Sequence, residues 1–168
     1  MRQRSPKPKR AIRLVVLDVD GVLTDGRLYF GARGEALKVF DVRDGHGIKL
    51  LMGSGVHVAS LSGRRSAAVS ARMRELGVRH VIQGSTDKVA ALQKLCRRLS
   101  LSPLECACVV DDTPDLPLMS AVGFAVAVAD AHPLVQAAAH WVTKSPGGRG
   151  AVRELCDALL RARAPRPG

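Results

Sequence analysis

A chain of 168 residues is long enough for one domain with its own hydrophobic core. It contains no stretch apolar enough to cross a bilayer, and its first residues, MRQRSPKPKRAIR, lack the apolar run of a signal peptide, so a cytoplasmic location and no membrane partner are expected. The net charge of +11 raises nucleic acid as a partner, but one Trp, one Tyr and three Phe without a cluster offer no stacking platform; the charge reads as solvated surface that attracts anionic substrates, with no specific nucleic acid.

In chain order, residues 1–11 read as a disordered basic arm, 12–163 as the folded domain and 164–168 as a flexible tail. Residues 14–17, LVVL, form a short apolar run without alternation, the pattern of a strand buried on both faces of a parallel sheet. Residues 27–40, RLYFGARGEALKVF, hold two β-prone runs joined by GARGE, which predicts a hairpin turning at Gly31 and Gly34. Asp44 is a candidate cap for a helix that Gly53 and Gly55 would end. A strand at 56–61 leads to a helix at 66–76 closed by Gly77, then a short strand at 80–82 and a helix at 88–99. The apolar run CACVV at 106–110 predicts another buried strand, and Pro114 suits the start of a helix running to Val122. A strand at 124–128, a short helix at 132–139, a strand at 141–143 and a C-terminal amphipathic helix complete the pattern. Strand and helix alternating in this way predict an α/β fold with a doubly wound parallel sheet. Cys96, Cys106, Cys108 and Cys156 form no C-x-x-C pair and read as buried reduced thiols.

The first strand has no use for charge, yet it runs into Asp18 and Asp20, followed by Gly21 for a tight turn. In open α/β sheets ligands bind beyond the carboxyl ends of the strands. Two carboxylates so close repel unless a cation separates them, and Mg2+ is the economical choice because it takes oxygen ligands and accompanies phosphate. Ser62, Asp111 and Asp112 also follow apolar strands, and Lys88 opens a helix just after one. Taken singly, Ser62 reads equally well as a helix cap, Lys88 as a solvated helix residue, and Asp112 or Asp115 as caps for the helix at Pro114. Taken together they supply carboxylates for a metal, and a hydroxyl and an ammonium for phosphoryl oxygens.

These motifs in this order, DVDGVLTDG, SGR, Lys88 and DDTPD, resemble the four motifs of the haloacid dehalogenase superfamily of phosphatases. The TDG after the first motif, the hairpin, FDVRDGHGIK, SGRRS, GSTDK, VADAHP and GGRGAVRE are similar to its small subfamily without a cap domain, which includes 3-deoxy-D-manno-octulosonate 8-phosphate phosphatase. The resemblance implies a Rossmann-like sheet with a β-hairpin insertion after the first strand, and a Mg2+-dependent phosphatase acting on that phosphorylated sugar acid or a related 2-keto-3-deoxy one. Asp18 would be the nucleophile that becomes an aspartyl phosphate, and Asp20 the acid that protonates the leaving oxygen and then activates water. The metal would be held by Asp18, the backbone carbonyl of Asp20 and Asp111, with Asp112 and Asp115 behind it; Ser62, Gly63 and Lys88 would hold the phosphoryl group. The resemblance also implies a homotetramer assembled through the hairpin, whose Leu28, Phe30, Leu37, Val39 and Phe40 are too apolar to leave exposed. Arg64 and Arg149 are candidates for the substrate carboxylate.

One departure stands out: the family has Gly before the paired aspartates, where this chain has Val110. That residue either displaces the Asp111 loop or extends the strand. Two rival classes are a signalling receiver domain, disfavoured because its acidic pair and phosphorylated Asp lie on separate strands, and a non-catalytic phosphatase-like scaffolding oligomer, disfavoured by the intact polar set.

Overall fold

The computed structural model describes Pro8 and residues 10–164, so most of the expected arm and tail lies outside the described residues. The elements in chain order are β1 (Leu14–Leu17), the hairpin strands β2 (Tyr29–Gly31) and β3 (Gly34–Leu37), α1 (Val42–Gly53), β4 (His57–Ser62), α2 (Ala67–Leu76), β5 (His80–Gln83), α3 (Lys88–Leu99), β6 (Cys106–Val110), α4 (Leu116–Ala121), β7 (Phe124–Ala127), α5 (Pro133–Ala138), β8 (Trp141–Val142) and α6 (Ala151–Arg163). Six strands form one parallel sheet in the order β5-β4-β1-β6-β7-β8, and the hairpin forms a separate two-stranded sheet. The chain winds outward from β1 to β5 and then returns to β6 on the other side of β1. The crevice above β1 and β6 is therefore the point where the winding reverses, the place where such sheets bind ligands.

Every residue of β1 and β6 is buried, which explains their uninterrupted apolar runs. Val110 is the last residue of β6; it is wholly buried, pairs with Ala127, and its carbonyl accepts a hydrogen bond from the Val128 amide at 3.2 Å. The valine thus extends the strand. All four cysteines are free and buried, as expected. No helix among the described residues is long and apolar enough to cross a membrane.

The expected cap of α1 needs correction. Asp41 caps that helix, accepting from the Arg43 amide at 2.7 Å. Asp44 lies within the first turn, buried, and reaches across to cap α6 instead, accepting from the amides of Arg153 at 2.8 Å and Gly150 at 3.3 Å. The glycines beside it permit this approach: a Cβ on Gly47 would come within 3.2 Å of the Arg153 Cα, and one on Gly45 within 3.0 Å of Leu76 on α2. The helix expected at Pro114 also divides, into a 3-10 turn at Thr113–Asp115 followed by α4.

Candidate active site

The chain leaves β1 through a compact loop built around Thr24. Val19 accepts backbone hydrogen bonds from Val22, Leu23 and Thr24, and the buried Thr24 hydroxyl accepts from the amides of Gly21 at 3.3 Å and Gly26 at 3.2 Å. Gly21 has φ +81°, and a Cβ there would stand 1.9 Å from Asp111 Oδ2. Only glycine lets the Asp111 carboxylate lie against the β1 loop. The GGRG segment braces the loop from outside, with the Gly148 amide donating to the Val22 carbonyl at 2.8 Å.

Asp18 Oδ1 accepts from the Val19 amide at 2.8 Å and faces Lys88 Nζ at 3.1 Å; among the described residues Oδ2 accepts no hydrogen bond. Lys88, the first residue of α3, also lies 2.7 Å from Asp115 Oδ1. Burial pushes the Asp18 carboxyl up to about 7, against the pull of the Lys88 ammonium and with a further push from Asp115. Burial also raises Asp111, to about 6, with Asp112 and Asp115 adding repulsion. For Lys88, burial opposes the charge, and the Asp18 and Asp115 carboxylates overcome it, so its pKa is raised.

Asp18, Asp111 and Asp115 each present a carboxylate oxygen within 4.8 Å of the others. An all-oxygen set of closely spaced carboxylates, in which burial disfavours the charge on Asp18 and Asp111, suits a hard divalent cation, and the residues present fit Mg2+. Asp115, expected to stand behind the metal, adjoins this cluster while its carboxylate is ion-paired with Lys88. Asp112 caps the 3-10 turn, accepting from the Thr113 amide at 2.7 Å, and lines the same cleft.

The opposite wall comes from β4 and the loop after β5. Ser62 is buried at the end of β4; its hydroxyl accepts from the Arg64 amide at 3.2 Å, and its carbonyl accepts from the Ser85 amide at 3.1 Å. Ser62, Gly63, Arg64, Ser85 and Thr86 line a cleft of about 460 Å³ that also contains Asp18, Asp20, Lys88 and Asp111. Arg149 does not line it; the side chain is exposed, 3.9 Å from Asp25.

Around Asp20 the structure adds residues that sequence reasoning missed. Lys38 Nζ donates to Asp20 Oδ1 and lies 3.1 Å from Glu35 Oε2. Arg64 completes the circuit, with Nη2 donating to Glu35 Oε2 at 3.0 Å and Nη1 3.5 Å from Asp20 Oδ2. Each cation therefore meets both anions. The Ser66 hydroxyl donates to Glu35 Oε1, and that bond, with help from Lys38 and Arg64 against the cost of burial, holds the Glu35 carboxyl below its usual range. The signal in the sequence is the alternation Leu37, Lys38, Val39, which puts one ammonium on the face of the strand that turns toward the domain. In the single chain Leu28, Phe30, Leu37 and Val39 are exposed, whereas Phe40 packs against the core.

Comparison with known proteins shows the family and the fold. The family model for haloacid dehalogenase-like hydrolases matches residues 74–155. The 3-deoxy-D-manno-octulosonate 8-phosphate phosphatase of Yersinia pestis is 50% identical over 151 residues, covering 90% of this chain and 81% of its own. Its crystal structure superposes with a TM-score of 0.88 at 49% identity, covering 90% of this chain and 82% of that one. The Moraxella catarrhalis phosphatase of the same name, solved with magnesium ion, phosphate ion and a KDO molecule, is 40% identical with a TM-score of 0.87, covering 90% of this chain and 87% of that one. On shared sequence across nine-tenths of its length and a shared fold, the chain belongs to the haloacid dehalogenase-like hydrolases, in the cap-less branch of the 3-deoxy-D-manno-octulosonate 8-phosphate phosphatases.

Proposed function

We propose that this phosphoric monoester hydrolase removes phosphate from 3-deoxy-D-manno-octulosonate 8-phosphate or a closely related 2-keto-3-deoxy sugar acid phosphate, through an aspartyl phosphate on Asp18. The observation that carries the reading is the meeting of Asp18, Asp20, Lys88 and Asp111 in one cleft at the reversal point of the sheet. The half identity to phosphatases of that name supports the substrate class.

Attack by a carboxylate on a phosphate dianion is opposed by charge. Lys88 lies against Asp18 and offsets part of that repulsion, while Ser62 and the Gly63 amide hold the phosphoryl oxygens. Mg2+, held by Asp18, the Asp20 carbonyl and Asp111, would supply the remaining charge neutralisation. An Asp18 oxygen bonds to phosphorus as the bond to the sugar oxygen breaks, and the Asp20 carboxyl gives its proton to that oxygen. The Asp20 carboxylate then takes a proton from water, the water oxygen attacks phosphorus, and the bond to Asp18 breaks. Asp20 ends protonated and Asp18 free. Asp112 and Asp115 hold the turn and Lys88 in place. Arg64, which lines the cleft, is better placed to meet the substrate carboxylate than the exposed Arg149, which does not.

We also infer a homotetramer formed through the apolar face of the hairpin, a cytoplasmic location, and a phosphatase domain spanning 12–163. The test is phosphate release from a panel of phosphorylated sugars and sugar acids with and without Mg2+. Preference for eight- or nine-carbon 2-keto-3-deoxy acids is expected, and absence of turnover on every ester would reject the reading.

A further inference from the structure

The machinery described so far leaves unexplained why a lysine is buried beneath an insertion. The Lys38 side chain is 2% exposed, and it comes from the exit of the hairpin, not from the end of a sheet strand. Burying an ammonium is costly unless it is paired. Here the pairing is a closed ring: Lys38 and Arg64 each face both Asp20 and Glu35, so two cations and two anions balance in the resting site, before Asp20 takes up the proton that it delivers, and Glu35 still pairs Lys38 once it has. Two separate ion pairs would neutralise the same charges. A ring does something more, because the two oxygens of Asp20 face different cations, Oδ1 toward Lys38 and Oδ2 toward Arg64, which fixes the rotation of the carboxyl group.

We propose that Lys38 is a positioning residue that aims the Asp20 carboxyl at the leaving-group oxygen, with Glu35 as its anchor. This rests on the role of Asp20 proposed above. Glu35 is itself held on both oxygens: the Ser66 hydroxyl, at the start of α2, donates to Oε1, and Arg64 Nη2 donates to Oε2. The Ser66 amide in turn donates to Gln83 of β5 at 2.7 Å. The ring is thereby rooted in the main sheet, and the hairpin supplies two of its members, Glu35 and Lys38, of which Lys38 reaches across to Asp20. Orientation of a proton donor is worth most when the departing oxygen needs the proton, as a sugar alkoxide does; p-nitrophenolate leaves without one.

The experiment compares kcat/KM, which reports on transfer to Asp18, for 3-deoxy-D-manno-octulosonate 8-phosphate and p-nitrophenyl phosphate in the parent, Lys38→Met, Lys38→Arg and Glu35→Gln. In Lys38→Met the loss on the sugar ester should be at least about tenfold larger than on the aryl ester and should fall on kcat. Glu35→Gln should show the same selectivity more weakly, and Lys38→Arg should recover part of it. Adding Lys38→Met to Asp20→Asn should bring no further selectivity, because the group being aimed is already gone. Equal losses on both esters in Lys38→Met and Glu35→Gln would overturn the proposal in favour of a purely structural ring. A loss confined to KM for the sugar ester would overturn it in favour of substrate binding. A parent inactive on both esters would instead reject the phosphatase reading beneath it.

Discussion

Lys88 Nζ lies closer to Asp115 Oδ1, at 2.7 Å, than to Asp18 Oδ1, at 3.1 Å. The ammonium is thus tethered from behind, and Asp115 sets how near it comes to the attacking carboxylate. Lys88→Met should lower kcat by about 10²–10³-fold through lost charge stabilisation. Asp115→Asn should cost about 10–100-fold, the usual effect of loosening a supporting group. Lys88→Arg should not rescue, since a planar guanidinium does not fit where a point charge sits between two carboxylates. Steady-state kinetics on each variant check this, and full activity in Lys88→Met would count against the site.

The two aspartates of the first motif have separable jobs. Asp18→Asn should abolish turnover and any acid-stable or trapped phosphoenzyme, because the amide is no nucleophile. Asp20→Asn should slow turnover by about 10²–10⁴-fold while still forming the phosphoenzyme from p-nitrophenyl phosphate. Rapid quench and intact-protein mass measurement distinguish the two.

Metal-free protein should become less stable as pH rises. Burial lifts Asp18 to about 7 and Asp111 to about 6, both from 3.8. The native state therefore holds protons that the unfolded chain has released, so the stability these groups contribute is full below pH 3.8 and is lost as pH climbs through 6 and 7. In chelator, Asp111→Asn should match the parent in Tm near pH 4 and exceed it by several degrees near pH 7.5. Adding Mg2+ at the higher pH should raise the Tm of the parent more than that of the variant. A Tm gap that does not change with pH would refute the argument.

Val110 fills the end of β6. Val110→Gly should remove buried methyl groups and stiffen nothing in return, costing about 2–4 kcal/mol of stability. The Mg2+ activation curve should shift little, because Asp111 already lies in the carboxylate cluster with valine present. Denaturant unfolding and Mg2+ titration of activity together test the point; an inert parent rescued by glycine would contradict it.

The hairpin presents Phe30 at 65% and Val39 at 54% exposure. Phe30→Asp and Val39→Asp should each dissociate the proposed tetramer and, through the hairpin segment that also carries Lys38, lower activity on the sugar ester. Light scattering alongside the assay decides this, and a fully active monomeric parent would refute a shared hairpin interface.

Much of this arrangement was legible before any coordinates. Apolar runs without alternation marked β1 and β6, and the charges that end them marked the crevice, because nothing in a buried strand accounts for Asp18 or Asp111 otherwise. The helix expected at 88–99 is α3, Lys88–Leu99. What escaped were long-range pairings between polar groups. Asp44 looked like a local cap because a sequence cannot display that α6 begins against its side chain. Glu35 and Lys38 looked like ordinary hairpin charges, since their burial comes from Asp20 and Arg64, which arrive from other loops. Arg149, a candidate for the substrate carboxylate, lies outside the cleft, and the glycines beside it serve close packing: a Cβ on Gly147 would meet the Gly21 carbonyl at 1.7 Å.

The cap that Asp44 places on α6 carries a consequence for the order in which the protein matures on the ribosome. A nascent chain extended only through β8 already contains all six strands and every residue of the catalytic cleft. Its α1 nevertheless holds a buried carboxylate whose amide partners, Gly150 and Arg153, have not yet been synthesised, beside a Gly47 notch with nothing to fill it. An unsatisfied buried acid opposes closure of that layer. Closure of the α1 layer therefore waits on α6: until Gly150 and Arg153 are in place the acid stays unpaired and the Gly47 notch unfilled.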